Sequence, residues 1–149
     1  MRKEKGFTLI ELLVVVVIIG ILASISIAMY AGSMRKAQRA EASSNLQNLR
    51  LLEEQFFAEN GAYVAGANTA ALQAAMPGFK PGSSLMYSYA ITTAAGVGLS
   101  TPVPTPYAGA TIALVPATTP CFIATATGIA GTRVATDNYA IDCNNNRNF

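Results

Sequence analysis

Between Phe7 and Met34 the chain carries a single charge, Glu11, in 28 otherwise uncharged residues. As a helix rising ~1.5 Å per residue this stretch would be about 42 Å long against a hydrocarbon core of ~30 Å, so it can cross a bilayer. Arg2, Lys3 and Lys5 precede it. Positive residues beside a first apolar segment stay on the cytoplasmic side, which places the amino end inside and the remainder outside. A secretory signal carries its small-residue cleavage site after the apolar core. Here the only processing-like junction, Gly6 next to Phe7, lies before the core, so a cut there leaves the anchor in the mature chain. Glu11 is the anomaly. An ionisable group in an apolar span costs several kcal/mol unless it finds a partner. The purely local answer is that it snorkels or caps its own helix terminus one turn away.

The run KGFTLIELLVVVVIIGILASISI, residues 5–27, resembles the processing site and amino-terminal helix of the type IV pilins and their secretion-system relatives. The resemblance covers about the first 30 residues. It implies a major structural subunit made as a precursor with a leader of residues 1–6, cleaved between Gly6 and Phe7 and N-methylated on Phe7 by a prepilin peptidase. Glycine suits such a step because it lets an extended backbone approach a catalytic site closely. It also implies assembly roles for Thr8 and Glu11, the carboxylate of Glu11 pairing with the methylated terminal amine of a neighbouring subunit. One departure is evident: position 28 is alanine, where the family usually has proline. Without that proline the free chain is expected to be helical without a break from Phe7 through Ala58. Any opening in a polymer would then centre nearer Gly20.

Length accommodates one domain plus a long helix. Charged residues make up 12% and hydrophobic ones 52%, which leaves little solvated surface for a free soluble protein. Loss of residues 1–6 would remove three of the ten basic and one of the eight acidic side chains, leaving seven of each. A net charge near zero favours association over repulsion.

Three further segments follow the leader: 7–34 as membrane and filament-core helix, 35–60 as its amphipathic continuation, and 61–149 as a head. In the continuation Ala42, Leu46, Leu49 and Phe56 recur at helical spacing with polar residues between them, and Gly61 after Asn60 is a C-terminal stop. A helix from Phe7 to Asn60 would be about 80 Å long, a stalk carrying a head. Arg35, Lys36 and Arg39 form a basic cluster, and Glu53, Glu54 and Glu59 an acidic one. The ordinary reading is a solvated face with Arg50 reaching Glu53 or Glu54; the sharper one sets the basic band of one subunit against an acidic surface of another. Asn68 caps a short helix that runs to Met76 and stops at Pro77-Gly78. Leu85, Tyr87, Tyr89 and Ile91 alternate with Met86, Ser88, Ala90 and Thr92 as in a half-buried strand. Further strands are expected at Thr111 to Val115, Phe122 to Thr127 and Thr132 to Ile141, the last with a turn at Asp137-Asn138. The proline-rich Pro102 to Pro106 reads as an exposed loop. The fold class is therefore α+β: a long amino-terminal helix whose second half packs on an antiparallel meander of about four strands.

Cys121 and Cys143 both fall on the side that the anchor places outside the cytoplasm, where a disulfide is the expected state. Many type IV pilins staple their carboxyl-terminal segment in this way. An enzyme is not expected: there is no histidine, no glycine-rich phosphate loop and no CxxC, and only Asp137 and Asp142 are carboxylates beyond residue 60. No cofactor and no metal are called for. A calcium site from Asp137, Asp142, Asn138 and Asn144 to Asn146 is the minority alternative to plain turn chemistry. Beyond Gly61 the cations are Lys80, Arg133 and Arg147, a thin lure for phosphate, so a nucleic-acid partner is not the expectation.

The resemblance implies a homopolymer of pilin subunits, with the prepilin peptidase, the pilus assembly machinery and the inner membrane as partners. The chain would be a single-pass inner-membrane protein before assembly and an extracellular pilus afterwards. Two alternatives stand beside it: a pseudopilin of a type II secretion system, and an anchored domain that binds a ligand without polymerising. The cysteine pair favours a pilin over a pseudopilin.

Overall fold

A computed structural model describes residues 6–82, 86–95, 98–99, 114–115 and 120–149. The chain forms two compact units, Met1–Ala37 and Gln38–Phe149. Helix α1 spans Leu9–Asn60, two residues offset at each end from the expected Phe7 to Ala58. It starts late because Thr8 serves as its cap, and it ends where Gly61 takes a left-handed turn (φ 71°). The Gly61 N–H donates to the Phe57 carbonyl at 2.7 Å, closing the helix as glycine does in that position. No break occurs at Gly20 or Ala28. Ser24 and Ser26 turn their hydroxyls onto the carbonyls of Ile21 and Leu22 at 2.7 and 2.8 Å, so both polar groups are satisfied inside the helix.

Within the second unit α1 buries Ala42, Leu46, Leu49 and Glu53, at spacings of four, three and four. Each fully buried leucine contributes about 2 kcal/mol of transfer free energy. Helix α2, Thr69–Ala75, is capped by Asn68, whose side chain accepts from the Ala71 N–H. Gly66, just before it, exchanges both backbone hydrogen bonds with Ile91 at 2.8 and 3.0 Å. A Cβ at Gly66 would run into the Leu72 side chain, which explains the glycine.

The strands are β1 (Tyr87–Ala95), β2 (Gly98–Leu99), β3 (Leu114–Val115), β4 (Pro120–Gly128) and β5 (Asn138–Asp142). β1, β4 and β5 form one antiparallel sheet in the order β1-β4-β5, and β2 pairs with β3 in a separate ladder. The α+β class holds. Tyr87, Tyr89 and Ile91 point into the core while Ser88 and Thr92 stay exposed, the alternation read from the sequence. Leu85, Pro102 to Pro106 and Thr111 to Ala113 lie outside the described residues. The core joins Leu46, Leu49, Leu72 and Phe79 to Tyr87, Tyr89, Phe122, Tyr139 and Ile141.

The expected strand from Thr132 to Ile141 is shorter than its composition suggests. Residues 129–137 are turn, drawn tight against the end of β4. The backbone carbonyl of Val134 comes so close to Gly128 that a Cβ there would overlap it. Backbone contact, and not β-propensity, decides this stretch. The asparagine-rich tail then folds back along β5. Asn145 turns left-handed (φ 63°), Asp142 accepts from the backbone and side-chain amides of Asn146 at 2.8 Å each, and Asn148 offers Oδ1 to Ala140 N–H and Nδ2 to the Asn138 carbonyl.

Candidate functional site

Gly6, Phe7 and Thr8 precede α1 without helical structure and are exposed. Gly6 has neither a left-handed φ nor a neighbour within 4 Å of where a Cβ would sit. At α1's start the Thr8 hydroxyl accepts from Glu11 N–H at 3.3 Å, while Glu11 Oε2 accepts from the Thr8 backbone N–H at 2.9 Å and from the Thr8 hydroxyl at 2.8 Å. This is a capping box, which satisfies donors that a helix start otherwise leaves open. The local reading of Glu11 is thus realised in the free chain. Its second oxygen, Oε1, has no donor among the described residues. Around it Phe7, Leu9, Ile10, Leu13, Val14 and their successors to Tyr30 are all exposed, Phe7 by 84% and Leu9 by 83%. The helix is long and apolar enough to cross a membrane, and none of its apolar window is covered by the chain's own fold.

The disulfide between Cys121 and Cys143 is formed, with a Cα separation of 5.4 Å. It ties the start of β4 to the residue after β5, where Cys143 N–H also donates to the Phe122 carbonyl.

The charged groups are deployed differently from the expectation. Arg39 does not present its charge to a neighbour alone: it grips Asp137 at two points, Nε to Oδ2 at 2.7 Å and Nη2 to Oδ1 at 2.9 Å. The Tyr87 hydroxyl donates to Oδ2 of the same aspartate at 3.1 Å. Burial, together with the neighbouring Tyr139 and Asp137, pushes the Tyr87 phenol well above its ordinary range. Burial likewise raises Tyr89 to about 12, against the hydrogen bond it receives from Asn45. Asp137 and Asp142, weighed as calcium ligands, stand at opposite ends of β5 and are held by Arg39 and Asn146 respectively. Among the described residues no group of three or more metal-ligating side chains occurs.

Glu53 is the largest correction. Expected on a solvated acidic face with Arg50 within reach, it is fully buried and, among the described residues, in no ion pair. Phe56, expected on the apolar face, is only half-buried. No signal in the sequence marks Glu53, because its position fits both a helix face turned to solvent and the edge of the apolar stripe.

Residues 1–27 match the prokaryotic N-terminal methylation motif. Residues 28–147 match the family described as type IV minor pilin ComP, DNA uptake sequence receptor. The chain belongs to the type IV pilins. Among curated proteins this pilin is 37% identical to the type IV major pilin protein PilA of Myxococcus xanthus (strain DK1622), over 72% of its own length and 47% of the relative's. It is 44% identical to fimbrial protein EcpB of Eikenella corrodens over 41% of its length and 38% of that protein's. It is 40% identical to type II secretion system core protein G of Vibrio cholerae over 42% and 43%. The pilin thus spans less than half the length of each of these relatives. No solved structure matches it.

Proposed function

We propose that this pilin is a non-enzymatic structural subunit that polymerises through α1 into an extracellular filament. A prepilin peptidase would first cut between Gly6 and Phe7 and methylate the Phe7 nitrogen. The observation that carries the reading is the uncovered apolar half of α1 with one carboxylate in it. Such a surface needs lipid before assembly and other helices after it. The capping box gives Glu11 two donors but no positive charge, and Oε1 is left for the Phe7 amine of a neighbour, a charge-assisted contact that would fix the subunit's register. Gly6 supports the cleavage step, because neither crowding nor backbone conformation within the described chain asks for glycine there.

The similarity to core protein G keeps a pseudopilin as second reading. The Cys121–Cys143 staple favours a pilus subunit. The matching family is described as a DNA uptake sequence receptor. Here Lys80, Arg133 and Arg147 sit on three different loops or tails, and Arg147 lies over the Phe149 ring at 5.8 Å. That is little for a phosphate backbone, so filament building ranks ahead of DNA reading.

The test is Glu11→Val in the native host. The variant should be processed and remain in the membrane without entering filaments, and the wild-type subunit should have the mass of residues 7–149 plus one methyl group, less two hydrogens for the disulfide. Filaments of normal abundance from the variant, or surface filaments retaining residues 1–6, would overturn the reading.

A further inference from the structure

Glu53 stands on the buried face of α1, one turn after Leu49, with no exposed surface. Its Oε2 accepts from the Val64 backbone N–H at 2.9 Å, while Oε1 is buried without a donor. Arg50, one turn earlier, keeps its own Nε buried and unpartnered. The segment over Glu53 is short. It leaves α1 at the left-handed Gly61, stacks Tyr63 on Phe57 with ring centres 4.5 Å apart and on the edge of Phe122 at 4.9 Å, and is fastened at its far end by the Gly66–Ile91 bridge. Between Gly61 and the bridge, Val64 is tied to α1 by that carboxylate.

A carboxyl group that is protonated leaves one neutral oxygen for Val64 and no net charge to solvate. A carboxylate spreads its charge over both oxygens, and here only one of them is met. The groups facing it do not compensate. On α1, Glu54 adds like charge and Arg50 forms no ion pair with it; on the loop, the Tyr63 phenol is neutral at ordinary pH, itself pushed up by burial and by Glu54 and Glu53. α2 has no ionisable side chain, and Asp142 at the end of β5 is taken up by Asn146. We propose that Glu53 is a proton-operated latch on residues 61–65, short of the Gly66–Ile91 bridge: protonated, it clamps Val64 to α1; ionised, it drives this loop to swing out from Gly61 so that water reaches the second oxygen.

Burial first, and Glu54 second, push Glu53 up to about 7 from an ordinary 4.5, against the lowering effect of the Val64 hydrogen bond. The closed loop therefore holds the proton more tightly than the open one, and rising pH favours opening. If the open state restores the ordinary value, the opening equilibrium grows on the order of thirtyfold between about pH 5.5 and 8.5. The latch thus works across neutrality, and its opening uncovers Phe57, Tyr63 and part of Phe122.

The experiment is amide hydrogen exchange at Val64 on the full-length chain in detergent micelles, with protection factors corrected for intrinsic pH dependence and Ile91 as internal reference. Val64 protection should fall on the order of thirtyfold across that range while Ile91 stays constant, and Glu53→Gln should hold Val64 at a pH-independent level. Flat protection in the wild type overturns the latch, as does an unchanged fall in Glu53→Gln. Should Glu53→Gln not fold, the carbon-13 shift of the wild-type Glu53 carboxyl decides: a midpoint near neutrality that tracks Val64 exchange upholds the latch, and a midpoint in the ordinary glutamate range overturns it.

Discussion

Arg39 and Asp137, 98 positions apart in the chain, meet in a two-point ion pair with the aspartate almost fully buried and the arginine side chain 30% exposed. The pair joins α1 to the turn between β4 and β5. Arg39→Ala would leave a buried carboxylate whose remaining side-chain partner among the described residues is the Tyr87 hydroxyl, and removing one partner of such a pair costs roughly 3–5 kcal/mol. Arg39→Lys keeps the charge but loses the planar fork, so it should recover only part of the loss. Denaturant unfolding of the full chain in micelles should rank the three proteins in that order.

Gly128 is a second fixed point. An added Cβ would strike the Val134 carbonyl and approach the Ala135 Cα to 3.1 Å, and both of these are backbone atoms that cannot rotate away. Gly128→Ala should therefore destabilise by about 2 kcal/mol or more, in the range of overpacked sites. Gly20→Ala should be neutral or stabilising, since nothing lies within 4 Å of its Cβ position and alanine is the better helix former. Comparison of their melting curves checks both.

The disulfide closes a loop of sequence separation 22. Constraint of the unfolded chain over a loop of that size is worth about 3 kcal/mol on the entropy model. Replacing both cysteines by serine should lower stability by roughly that amount and loosen the tail before the β1–β4 pairing. Hydrogen exchange of Asp142 and Asn146 amides against those of β1 would show the order of loss.

Ala28 lies in an unbroken part of α1. Proline there removes a backbone hydrogen bond and costs ~3 kcal/mol in a helix interior. Ala28→Pro should lose amide protection between Ser24 and Ala28 in micelles while the wild type keeps it. Were polymers of both to show the same extended stretch from Gly20 through Ala28, packing between subunits rather than local propensity would decide where the helix opens.

Much of this architecture is legible from the residues because its signals are local. The uncharged run to Met34, the spacing of Ala42, Leu46 and Leu49, the alternation through Tyr87 to Ile91 and the Asn68 cap each report on a few neighbours. What escaped depends on distant partners. Arg39 looks like one member of a basic cluster until the turn at Asp137 is folded against it. Thr132 to Thr136 has strand composition, yet the approach of Val134 to Gly128 makes it a turn. Glu53 carries the residue type most at home in water and is buried by a loop whose path no periodicity records. At the amino end the spacing of Thr8 and Glu11 is that of a capping box, a local signal that reading Glu11 by itself passes over, whereas the partner proposed for Glu11 Oε1 lies in another molecule.

The tail along β5 has a bearing on how such a protein can be kept in quantity. A strand at the rim of a sheet is a template on which another copy can add its own strand, and a growing stack of that kind is hard to undo. Asn148 occupies that rim with its side-chain amide, donating to the carbonyl of Asn138 and accepting from the N–H of Ala140. A second copy is thereby denied strand addition at this edge, whatever the concentration at which the chain is held.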